Sequence, residues 1–153
     1  MEDVAAASGI TKLIVYRHFG SKEELYRAVL DQVSNRMVEV FVDNVQGGRQ
    51  TVGVATYLQV ARELPEAFVL LWRHAAREPQ FAEHAEAFRH TAVEVAAANL
   101  ADRGVLSRWA PEALIDSLVV QVLDWLEHGD PDHDEAFLES AARGLRAMVD
   151  AWR

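Results

Sequence analysis

The 153-residue chain has no cysteine, only four prolines and eight glycines, and just two lysines. Without cysteine there is no disulfide scaffold, no thiolate zinc site and no thiol nucleophile. No stretch approaches the roughly 18 consecutive apolar residues of a membrane span. The opening Met1-Glu2-Asp3 is acidic, where a secretory leader would be basic and then apolar. A cytoplasmic protein with no membrane partner is the expectation. Apolar residues, by contrast, are plentiful. Half of the chain is hydrophobic and a quarter charged, the balance of one globular domain or of a small module fused to a larger one. A chain of this size buries roughly 68–70% of its unfolded surface, enough for a core without covalent staples.

Acids outnumber bases 24 to 15, for a net charge of −9, which argues against indiscriminate nucleic-acid binding because Lys and Arg carry phosphate affinity. The bases are unevenly placed. Both lysines, Lys12 and Lys22, fall near the start beside Arg17, His18 and Arg27. Residues 11–27 hold four Lys and Arg against two acids, whereas residues 47–153 hold ten arginines against seventeen acids. The one cationic neighbourhood is N-terminal.

Glycine and proline punctuate the chain at Gly9, Gly20, Gly47-Gly48, Pro65, Pro79, Gly104, Pro111 and Gly129-Asp130-Pro131. Between these breaks apolar residues recur every three or four positions, with no sustained alternation, so the fold is expected to be all-α. A short helix is predicted over about 4–8, and a second from Thr11 as N-cap to about Phe19. Ser21-Lys22-Glu23-Glu24 is a capping box opening a long helix with Leu25, Val29, Val33, Met37 and Phe41 on one side, ended by Gly47-Gly48. Helices at about 51–63, 66–77, 80–103 and 111–128 follow. The fourth of this group has Pro111 in its first turn. A last helix is predicted from Asp132, with Glu135 three residues on as a second box-like start, to about Trp152.

Two short helices joined at Gly9 fit a helix-turn-helix, whose second helix enters the DNA major groove. At about 100° per residue, Lys12, Leu13, Tyr16 and Arg17 share one arc of that second helix, while Val15 and Phe19 lie opposite. The run Val4-Ala5-Ala6-Ala7-Ser8-Gly9-Ile10-Thr11, followed by Val15-Tyr16-Arg17-His18-Phe19-Gly20-Ser21-Lys22-Glu23-Glu24-Leu25, resembles the TetR-type transcriptional regulators across residues 4–30. The resemblance implies that Tyr16, His18 and Lys22 contact phosphates, that Thr11 caps the recognition helix, and that Lys12, Leu13 and Arg17 meet bases. Lysine or arginine can pair with guanine O6 and N7, and an apolar tip can meet a thymine methyl. Leu13 stands where the family usually has Gly, Ala or Pro, and Ile14 where it has Thr or Ser, which implies either a more apolar reading surface that favours thymine methyls or a partly degraded one.

The family also places a helix ahead of Val4, and this chain starts three residues before it. A helix-turn-helix lacking its usual first helix is therefore expected, with a loosened N-terminal module and weak operator binding. A start placed too far downstream, or truncation, would account for it. Residues 1–27 are expected to be the partial DNA-binding module, and residues 28–153 a helical ligand-binding and dimerisation bundle. The resemblance implies a one-component regulator, a repressor that binds a pseudo-palindromic operator of double-stranded DNA as a homodimer and is released by a small-molecule effector. The alternative is a dimeric helical ligand-binding or scaffolding protein that no longer binds DNA.

The segment 111–128 is apolar almost all round, and the last helix adds Leu138, Leu145, Val149 and Trp152 among small residues. Burial on several sides is expected for both, as in a four-helix bundle with a second copy. Tyr57, Trp72, Phe88, Asn99, Gln121 and Trp125 are aromatic or polar positions on apolar stripes, the mixture that ligand pockets use. Arg73 and His74 are possible anion anchors, with a solvated face as the plainer account. No metal or cofactor is expected. His84 and His90 are too far apart around a helix to share an ion, and the Asp130-x-Asp132-x-Asp134 run continues with Glu135 where a calcium loop needs glycine. No catalytic signature occurs, so the chain is not expected to be an enzyme.

Overall fold

The breaks read from the sequence become the ends of helices in the computed structural model, which describes residues 20–49 and 51–153. Six α-helices follow one another: α1 (Lys22–Gln46), α2 (Val52–Glu63), α3 (Pro65–Val69), α4 (Pro79–Ala101), α5 (Ala110–His128) and α6 (Asp134–Ala151). No strand occurs among the described residues, and the all-α expectation holds. The two helices expected over residues 4–19 lie outside the described residues.

Ser21 caps α1 as expected: its Oγ accepts from the Glu24 amide at 3.1 Å. The Glu24 carboxylate reaches back one residue further than a capping box requires, accepting from the Gly20 amide at 2.7 Å. At the other end Gly48 turns the chain with φ +69°, a conformation open to glycine. The buried side of α1 is Leu25, Leu30, Val33, Met37, Val40 and Asn44. Val29 and Phe41, expected in that stripe, are only partly covered.

The predicted helix over 66–77 is present but changes winding twice. After α3 the chain widens into a π-helical turn at Leu70–His74 and tightens into a 3₁₀ turn at Ala75–Arg77. The last helix corrects an expectation. Asp132 and Glu135 form no capping box; Asp130 accepts from the Asp132 amide at 3.0 Å and caps a 3₁₀ turn at Pro131–His133, and α6 starts at Asp134 without a side-chain cap. Two acids of the calcium-like run are thus occupied, Asp130 with capping and Asp134 with an ion pair to Arg62 at 2.8 Å.

The helices form a bundle in which α2 packs on α1 and α5, while α4 and α6 flank α5. Leu30, Val33, Val60, Phe68 and Val122 are sealed from solvent. At one end of the bundle Tyr26 of α1 stacks on Phe81 of α4, with ring centroids 4.2 Å apart. At the same end Trp125 lies flat on Phe137 at 4.7 Å and donates to Asp134 at 2.6 Å. The opposite end gathers the end of α1, the start of α2, the end of α4, the start of α5 and the end of α6. There the bundle is hollow.

Candidate functional site

The hollow is a cavity of about 550 Å³, within the roughly 300–1,000 Å³ that small-molecule sites occupy. Helix α1 supplies Met37, Val38, Phe41 and Val45; α2 supplies Val54, Thr56 and Tyr57. The far side is Phe88, Ala92, Val95 and Asn99 of α4, closed by Leu114 and Leu118 of α5 and Leu145 of α6. The stripe predicted on α4 is therefore divided. Phe81 and Ala85 are buried in packed core, whereas Phe88, Ala92, Val95 and Asn99 face the cavity.

Of the six pocket candidates, Tyr57, Phe88 and Asn99 line the cavity. Burial holds the Tyr57 phenol well above its ordinary pKa, against a smaller opposing pull from Arg89. It stays an uncharged O–H in an apolar wall. Asn99 donates to the Val95 carbonyl of its own helix at 2.7 Å, leaving its side-chain oxygen available. The other three candidates do not line the cavity. Trp72 packs behind the wall, 5.5 Å from Tyr57 and 5.8 Å from Phe88 between ring centroids. Its indole N–H is buried without a partner among the described residues, in the middle of the π-helical turn. Gln121 donates to the Ser117 carbonyl one turn back in its own helix, and Trp125 belongs to the clasp with Asp134 and Phe137. Arg73 pairs with Glu127 at 2.9 Å, which makes it part of a surface ion pair.

Sequence reasoning missed a polar thread that runs from the core into the cavity wall. Asn44 and Thr56 are the buried polar residues of the core, and Asn44 donates to Thr56 Oγ1 at 3.1 Å. The Asn44 oxygen in turn accepts from Arg49 at 3.4 Å. Both buried groups satisfy each other, which removes most of the cost of placing them in an apolar wall. An i, i+4 count on α1 would have placed Asn44 on its inner stripe; no local signal names its partner.

Of the DNA-contact candidates, Thr11, Lys12, Leu13, Tyr16, Arg17 and His18 lie outside the described residues. Lys22 is described: it is exposed at the first residue of α1, beside free amides whose dipole favours an anion. From Lys22 the same unbroken helix runs 25 residues, roughly 37 Å, to the wall of the cavity. Arg36 fastens its middle to α2 through two bonds to Glu63, at 2.7 and 3.1 Å.

The described residues thus form an all-α bundle with a hollow end, reached by one long helix that starts at a Ser21 cap beside Lys22. The start of the chain has a match: residues 1–29 fit the family described as bacterial regulatory proteins, tetR family. The match agrees with the resemblance carried by residues 4–30 and supports a TetR-type DNA-binding segment there. Members of that family are described as regulatory proteins. No curated protein and no solved structure matches the chain. Among the described residues no helix is long and apolar enough to cross a membrane.

Proposed function

We propose that this protein is a TetR-type repressor that binds a pseudo-palindromic operator as a homodimer and is released when a small molecule fills the cavity. One observation carries the proposal: α1 begins inside the matched segment, which ends at residue 29, and its far half forms a wall of the cavity. A ligand that moves Met37, Phe41 or Val45 moves a rigid rod whose other end adjoins the DNA-binding segment. The ligand can weaken operator binding only by as much as its own affinity differs between the DNA-bound and released states. Residues 1–27 serve as the DNA-contacting module and residues 28–153 as the ligand-binding and dimerisation part, with α1 shared between them.

The dimer is proposed to form through α5 and α6 with their symmetry mates. Val120 is 55% exposed on α5. On α6 the outward positions Ala136, Ser140, Gly144 and Ala147 are small, and a Cβ added at Gly144 would meet nothing among the described residues. None of them requires glycine there, whereas close approach of a second helix does. Two-fold symmetry then places the recognition helices to read half-sites about 34–36 Å apart, or a multiple of that.

The test is binding to the DNA flanking the coding region, at two salt concentrations, by this chain and by an upstream-extended form, with Lys22→Ala as control. Salt-sensitive binding that Lys22→Ala weakens supports the repressor. Absence of binding by both forms at low salt overturns it in favour of a dimeric ligand-binding protein without DNA.

A further inference from the structure

The charges around the cavity are of one sign. Besides its apolar wall the cavity is lined by Arg49, Arg103 and Arg146, and no Asp or Glu is among its lining residues. In a chain with 24 acids and 15 bases that is the reverse of the overall balance. The three arginines come from the turn after α1, the turn after α4 and the last turns of α6. These segments meet at the hollow end, where the Arg153 side chain bonds the Arg103 carbonyl at 2.9 Å.

Four arginines that pack between helices are spoken for. Arg36, Arg62, Arg73 and Arg89 each pair with one or two carboxylates at 3.7 Å or less. Among the described residues no carboxylate pairs with Arg49, Arg103 or Arg146, and the nearby Asp150 pairs with Arg153 at 3.6 Å. Arg27, Arg77 and Arg108 are also without a carboxylate among the described residues, but none of them lines this cavity. Arg49 is held from behind by the buried Asn44 oxygen, which orients its guanidinium without neutralising it.

We propose that the ligand is an anionic amphiphile: an apolar body seated against Phe41, Tyr57, Phe88 and Val95, ending in a single carboxylate held by Arg49, Arg103 and Arg146. This rests on the proposal that the cavity takes the effector. A planar guanidinium matches a carboxylate through two parallel N–H bonds, and three of them around a low-dielectric wall favour an anion over a neutral head of equal size. A cationic ligand could face the aromatic rings of Phe41, Tyr57 and Phe88, but it would find three like charges and no counter-charge. The head group also bears on regulation. A carboxylate on Arg49 competes with Asn44 for that guanidinium, and Asn44 is a residue of α1.

The test compares three probes with the same ten-carbon tail, decanoate, 1-decanol and decyltrimethylammonium, by calorimetric titration of the full chain near neutral pH and low salt. Decanoate is expected to bind about tenfold or more tightly than decanol, with decyltrimethylammonium weakest, and its advantage should shrink as salt is added. The R49Q/R103Q/R146Q variant should lose that advantage while binding decanol as before; all three side chains are exposed, so its thermal unfolding is expected to be close to that of the parent. Decanol binding as tightly as decanoate, or decanoate unaffected by the triple variant, overturns the head-group assignment while leaving the cavity as a ligand site. Binding of none of the three overturns the cavity as an effector site as well.

Discussion

The two ends of this bundle are made from the same helices and are filled differently. Where α1 begins, the space between helices is occupied by Leu30, Val33, Val60, Phe68, Leu71 and Phe81, all at 3% exposure or less, and tied by the clasp of Arg62, Asp134 and Trp125. Where α1 ends, side chains of the same apolar kind surround an opening of about 550 Å³. A helix face facing inward is therefore not the same thing as a helix face packed. The hollow end forgoes dispersion contacts that the filled end makes, and the filled end holds the helices in place while the other stays open. Packing and open space are divided along one set of helices.

That division predicts a graded set of effects, greatest where the bundle is full. Phe68 is sealed, and its ring meets Tyr57 edge-on at 6.2 Å between centroids. Phe68→Ala is expected to cost about 3–5 kcal/mol, a large share of the roughly 5–15 kcal/mol that holds a domain folded. Urea unfolding followed by circular dichroism checks it. A loss below about 1 kcal/mol would mean that this end is not packed as described.

Gly129 tests the clasp from the opposite side, by adding an atom. A Cβ there would enter the ring of Trp125, which is pinned between Phe137 and Asp134 and cannot swing aside without giving up both partners. Gly129→Ala is expected to destabilise by about 1–3 kcal/mol. In a double-mutant cycle most of that loss should vanish when Trp125 is first replaced by Leu. Equal losses in both backgrounds would place the strain elsewhere.

The same clasp has a pH dependence. The hydrogen bond from Arg62 holds the Asp134 carboxyl below its ordinary range, against burial that pushes it up and with help from Trp125. A carboxylate depressed in the folded state contributes stability above its unfolded value of about 3.9, and this is lost as the pH falls through the lower folded value. Asp134→Asn should therefore cost about 1 kcal/mol at neutral pH, allowing for solvent screening at this half-buried site. The cost should shrink progressively in unfolding curves taken as the pH falls below the unfolded value and through the lower folded one. A pH-independent difference would assign Asp134 a packing role alone.

Much of the filled architecture was legible in the sequence because its determinants are local. Ser21 and Glu24 announce the start of α1, Gly47-Gly48 its end, and Pro79 and Pro111 the starts of α4 and α5. The second box failed for a local reason as well: Asp130, two residues ahead of Asp132, reached the free amide first. The cavity was only half legible. Periodicity placed Tyr57, Phe88 and Asn99 inward, but it placed Trp72, Gln121 and Trp125 inward by the same rule, and only the packing of distant helices decides which of them meets open space. Arg49, Arg103 and Arg146 left no trace at all. Each sits in or near a turn and looks in sequence like any solvated arginine, and their common address exists only after five segments converge.

The smallest effect on stability should come from filling the hollow. Ala92 of α4 is half-buried and lines the cavity between Phe88 and Val95. Extending it to leucine adds three carbons where no atom now stands, so overpacking strain of the kind expected at the full end is absent, and some dispersion contact is gained. Ala92→Leu is expected to shift stability by less than about 1 kcal/mol in either direction, yet to weaken decanoate binding several-fold by taking the room its tail would occupy. A loss of about 2 kcal/mol or more would show the wall already closed at this point. Unchanged decanoate binding, with stability also unchanged, would move the tail to the α1 and α6 side of the opening, where Val38, Val45 and Leu145 offer the next surface for substitution.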